Sequence, residues 1–164
     1  MKVFLSFLCS FFLISTVAAG EITGNTLSYE HYINSKKRIK CLYGYAADKT
    51  GDHKAAIAIF EDCIERWNDV YSMIWLAQIY EVGVGVKQDY TYATALLKRG
   101  ALADDEAGYS SLAKYHYGVA LYEGRGTPVD KEAAIKWLKK AAEEDVRDAT
   151  DYLIKQGEIS KENS

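Results

Sequence analysis

Ser111 and Lys114 stand at the Ser-x-x-Lys spacing that lets a lysine help activate a serine nucleophile for acyl transfer. That chemistry also needs a Ser-Asp-Asn companion, which the chain lacks, so the segment is expected to be a solvated helix edge. His31, His53 and His116 lie in separate segments without metal-ligand spacing to one another or to a cysteine, and no metal or other cofactor is expected. His53 follows a helix cap and is expected to be exposed; His116 falls on a helix at a contact between repeats. The acidic stretches Asp104-Asp105-Glu106 and Glu143-Glu144-Asp145 lack a supporting catalytic constellation and read as solvated loops, the first favouring the start of the next helix. Gly83-x-Gly85 and Gly124-x-Gly126 could suggest phosphate binding, but no strand precedes them and no Lys-Ser/Thr follows. Repeat turns explain them better. These residues make no case for an enzyme.

Composition narrows the remaining classes. Apolar residues make up 49% of the 164 positions and there is a single proline, which suits a helical globular chain. A net charge of −3 is too small to steer nucleic acid, and no nucleic-acid partner is expected. The 13 tyrosines pack well while keeping a polar tip, so they serve helix cores and binding surfaces alike.

Lys2, the apolar run Val3 to Val17 and the small residues Ala18 and Ala19 have the form of a secretory signal peptide, residues 1–19, with cleavage near Ala19. The run is short for a bilayer span, so no stable membrane insertion is expected once the signal is removed. The mature protein would be periplasmic or secreted. Cys9 leaves with the signal, and Cys41 and Cys63 remain. An even pair in an oxidising compartment hints at a disulfide, against the alternative of two buried thiols.

The elements that must position these residues come from a repeat. Gly83, Gly85, Asp89, Ala93, Leu97 and Ala101 recur as Gly124, Gly126, Asp130, Ala134, Leu138 and Ala142, all offset by 41 residues. Asp52, Ala56, Ile59, Phe60 and Cys63 form a shorter third copy, 37 residues before Asp89, Ala93, Leu96, Leu97 and Gly100. The lost residues lie in the turn, where Lys49-Thr50-Gly51 replaces the longer loop. Each copy reads as helix, turn, helix. Met73, Leu76, Ala77 and Tyr80 mark one buried face, and Ala134, Trp137, Leu138 and Ala141 mark another. Asp89 and Asp130 are placed to cap second helices, and Asp145 is expected to cap a final helix ending before Gly157. The first helix of the first copy should end near Lys49 and the second start near Asp52. Cys41 and Cys63 then lie nearly equidistant from the turn, at one height in an antiparallel pair, which permits a disulfide.

The segments Gly83-Val-Gly85-Val86-x-x-Asp89 and Tyr122-Glu-Gly124-Arg-Gly126-Thr-Pro-Val-Asp130 resemble Sel-one-like repeats, relatives of the tetratricopeptide repeat with a longer turn. Leu42 to Asn68 looks more like an ordinary tetratricopeptide repeat. The resemblance implies an all-α, right-handed α-solenoid of about three helix-turn-helix repeats over 38–156, closed by a C-terminal capping helix. Residues 20–37 would form an N-terminal segment and 157–164 a polar tail. It also implies a non-catalytic scaffold for another protein, for example an immunity or inhibitor protein or an envelope regulator. A cysteine-rich branch credited with weak β-lactam binding or hydrolysis supplies the enzymatic alternative, and that branch also bridges its helix pairs.

In stacked helix pairs the first helices line the concave side. Removing each buried face leaves Tyr45 and Asp48 in the first copy, Tyr71, Ile74, Gln78 and Glu81 in the second, and Leu112, Tyr115, Val119 and Tyr122 in the third. These are the expected partner-binding residues, an aromatic, apolar and acidic lining suited to protein recognition.

Overall fold

The computed structural model describes residues 28–105 and 107–160, and among them every regular element is a helix. The apolar leader Val3 to Val17, Cys9 and the cleavage point at Ala19 lie outside the described residues. A one-turn helix α1 (Glu30–Ile33) precedes three pairs: α2 (Lys40–Lys49) with α3 (His53–Trp67), α4 (Val70–Val82) with α5 (Tyr90–Ala101), and α6 (Tyr109–Glu123) with α7 (Lys131–Glu143). A last helix, α8 (Arg147–Lys155), packs on α7. Each helix packs on its chain neighbour, and the first helices of successive pairs also touch. The architecture is the expected helical solenoid with a closing helix.

Short-range chemistry sets the helix limits. Asp52, Asp89 and Asp130 accept hydrogen bonds from the backbone N–H groups of Ala55, Tyr92 and Ala133, satisfying donors that an uncapped N-terminus would leave open. Gly124 ends α6 in the left-handed conformation at φ +72°, as Gly83 ends α4. Gly126 is constrained twice: its φ is +66°, and a Cβ there would run into the Tyr90 carbonyl. The long turn of one repeat therefore rests on the start of α5, where the Thr94 hydroxyl donates to the Arg125 carbonyl at 2.7 Å. Asp145 departs from expectation. It does not cap α8, whose N-cap is Val146 without a side-chain hydrogen bond. Instead Asp145 takes φ +65° while the Val146 N–H reaches back to the Ala141 carbonyl, so it terminates α7.

One continuous core runs from Ala47 through Phe60, Met73, Leu76, Leu96 and Tyr117 to Ala134, and it joins the repeats. Each fully buried large side chain of this kind stabilises by about 1.5–3 kcal/mol. A second cluster of Val119, Leu138, Ala141, Ala149 and Leu153 seals α6 and α7 under α8.

The N-terminal pair is stapled. Cys41 and Cys63 form a disulfide between α2 and α3, with 6.0 Å between their Cα atoms. Lys40 beside it is fully buried; its ammonium donates to the Ile33 carbonyl at 2.6 Å and pairs with Asp62, tying α1 and α3 to α2.

Candidate protein-binding groove

The first helices present their partly open face as an aromatic ladder. Tyr45 of α2 meets Trp75 of α4 at 4.5 Å between ring centroids, Trp75 meets Tyr71 at 6.0 Å, and Tyr71 meets Tyr109 of α6 at 5.2 Å. One row of rings thus crosses all three repeats. The Lys49 ammonium lies over both Tyr45 and Trp75, 5.3 and 5.2 Å from the ring centres, which holds the first rung by cation–π attraction. Burial, and then the neighbouring Tyr109 and Tyr45 hydroxyls, push the Tyr71 phenol up to about 12, so it stays a neutral donor.

Two hollows flank the ladder. The larger, about 840 Å³, lies where α2, α4 and α6 begin, between Ile39 and Leu42 on one wall and Tyr71 and Tyr109 on the other. Ile39, at the N-cap of α2, is 56% exposed, and Leu42 in its first turn is 51% exposed. Asp69, Asp104, Asp105 and Arg38 are the charged residues of its lining. The Asp69 carboxylate, 6% exposed, accepts from Arg38 at 3.1 Å and from the Ser72 N–H and hydroxyl at 3.0 and 2.7 Å. Asp105 accepts from the backbone of Ala107, Tyr109 and Ser110, so it starts α6 as expected. The smaller hollow, about 300 Å³, is lined by Asp48, Lys49, His53, Trp75, Gln78 and Val82 among others. His53 is not the free surface residue expected: its Nδ1 lies 2.9 Å from Asp48 in that wall.

The expected partner-binding residues divide. Tyr45 and Tyr71 stand on the ladder, and Asp48 and Gln78 line the smaller hollow. Ile74 and Val119 are corrections, at 2% and 7% exposure. Ile74 packs into the main core, and Val119 is covered by the cluster that α8 completes. Glu81 pairs with Arg125 at 3.1 Å across the repeat junction. Leu112 packs against the core, and Tyr115 against the cluster beneath α8. The Tyr122 hydroxyl donates to Glu158 at 3.0 Å, beside Tyr152, whose own hydroxyl donates to Glu123. The third copy's stripe is therefore largely an inter-helix contact.

Ile39, Leu42, Trp75 and Tyr109 were not expected in the site. On α4 the partly open stripe is Tyr71, Trp75, Gln78 and Val82, whereas the expected one was Tyr71, Ile74, Gln78 and Glu81. Both have helical spacing and differ by a slight rotation. The indole at Trp75 was the available signal, because a tryptophan is rarely buried completely and its N–H favours a partly open position.

The Ser111–Lys114 pair is built into the frame. Lys114 is 8% exposed, and its ammonium donates to the Glu144 carboxylate, which also accepts from the Ser111 hydroxyl at 2.6 Å. Burial pushes the Glu144 carboxyl up, but the hydrogen bonds from Lys114 and Ser111 outweigh it and hold it below its ordinary value. An ammonium committed to a carboxylate is a poor base for the serine. Neither residue is thus the solvated edge expected, nor is Glu144 merely solvated; together they pin α6 to the end of α7. The Lys-Thr-Gly tripeptide at Lys49–Gly51 forms the α2–α3 turn, two repeats away.

Among the described residues no cluster of histidine, cysteine or carboxylate groups could hold a metal ion, and no helix is long and apolar enough to cross a membrane. No curated protein and no solved structure matches the chain. The family model of the Sel1 repeat matches residues 70–105 and 111–146, which take in α4 with α5 and most of α6 with α7. The 41-residue repeat offset, the capping aspartates and this match agree: residues 70–105 and 111–146 are Sel1 repeats.

Proposed function

We propose that the protein is an exported, non-catalytic scaffold that binds another protein along the aromatic ladder of its first helices. Sel1 repeats are protein-interaction scaffolds, and the open row Tyr45–Trp75–Tyr71–Tyr109 is the observation that carries the reading. Half-exposed aromatic side chains supply much contact area at small entropic cost, as interface anchors do. Export is supported by the leader-like residues 1–19 and by the Cys41–Cys63 disulfide, a bond that persists in oxidising compartments such as the periplasm. Within that setting the protein acts as an immunity or inhibitor protein, or as an envelope regulator that senses by binding. The β-lactam alternative loses support because Lys114 is committed to Glu144.

A photo-crosslinking residue at Tyr45, compared with one at the exposed Lys139 on α7, tests the reading in cells that produce the protein. A defined adduct from position 45 and none from position 139 is expected. Identical adducts from both positions, or none from 45, would contradict it.

A further inference from the structure

The larger hollow has a polarity of its own. We infer that it docks a short protein segment in which aliphatic or aromatic side chains stand next to a lysine or arginine. The inference rests on the protein-binding reading and adds the chemistry of the partner.

The apolar half of the argument is the wall. Ile39 at the N-cap of α2 and Leu42 in its first turn are more than half exposed and line the hollow together with Tyr71 and Tyr109. The disulfide at Cys41, between them in sequence, fixes this stretch of α2 to α3, so the wall is rigid before any partner arrives. Such a cleft takes apolar side chains without first having to order itself.

The charged half is the rim. Among the described residues that line the hollow, Asp69, Asp104 and Asp105 stand against one cation, Arg38. Arg38 is spent on Asp69. Asp105 closes the N-terminus of α6 and Asp69 that of α4, so these helix ends have given N–H groups to the protein's own carboxylates instead of holding them for an anion. Asp104 is exposed, and among the described residues no cation lies within ion-pair distance of it. A basic residue in the partner would complete that rim. Its charge would act on encounter and choice of partner more than on affinity, which the apolar wall supplies.

Display of random twelve-residue peptides against the immobilised protein tests this. Binders are then measured against the wild type, against Ile39→Ser combined with Leu42→Ser, and against Asp104→Asn. All three positions are exposed, and a thermal melt checks that each variant folds. The expected binders carry lysine or arginine beside leucine or phenylalanine. They should weaken roughly tenfold or more in the double-serine variant and about two- to fivefold in Asp104→Asn. Binders that depend on Ile39 and Leu42 but are neutral or acidic, or are indifferent to Asp104→Asn, would overturn this inference and leave the binding reading standing. Recovery of no binder that depends on the ladder or its wall would overturn both.

Discussion

His116 is the titratable side chain whose surroundings depart most usefully from water. Burial, and then the nearby Arg125 guanidinium, lower its pKa to about 4, against a partial opposing pull from Asp148. The unfolded chain therefore binds a proton near pH 6.5 that the folded chain refuses until about pH 4. Stability from this residue is fully present above the higher value and is lost as the pH falls toward the lower one. Between pH 7.5 and 5.0 the loss should be about 1–2 kcal/mol. Glu81, whose carboxyl burial pushes up, changes stability in the opposite sense over that range and partly offsets it. The comparison with His116→Gln isolates the histidine, since Glu81 is common to both proteins. Urea unfolding at the two pH values should show a clearly smaller acid loss in the variant. Equal losses would mean that His116 titrates normally. Its place on a first helix was legible in the sequence; its burial depends on what packs against α6 and was not.

At the scale of elements, most features that local chemistry decides were readable in advance, the exception being Asp145, which ends α7 instead of capping α8. The capping aspartates, the glycine stops and the limits of α2 and α3 all depend on neighbours a few residues away. The rotation of each first helix was not readable, because it is set by the next repeat. Ile74 packs into the core that joins the repeats, Val119 is covered by the helices that follow it, and Glu144 meets Ser111 and Lys114 from the far end of α7. The disulfide was legible as a spacing, since two residues equidistant from a turn share a height in a helix pair. It closes a separation of 22 residues, for which loop-entropy arguments give about 3 kcal/mol. Cys41→Ser with Cys63→Ser should lower unfolding stability by that amount or somewhat less, with the loss concentrated in α2 and α3 by hydrogen exchange. Unchanged stability, or two free thiols in denatured but unreduced protein, would contradict the staple.

At the scale of the molecule, three helix pairs and a closing helix give one side of the stack a continuous row of rings and the other side a charged surface. Residues such as Lys54, Lys98 and Lys139 on the second helices are exposed. A protein partner that uses the ladder should feel the loss of its anchors and ignore the far side. The most direct measurement is the dissociation constant of the partner captured at Tyr45, compared across Trp75→Ala, Tyr45→Ala and Lys139→Ala. The two ladder variants should each weaken binding roughly tenfold or more, with Lys139→Ala within about twofold of wild type. Unchanged affinity in both ladder variants, or a loss confined to Lys139→Ala, would place the partner elsewhere and contradict the account.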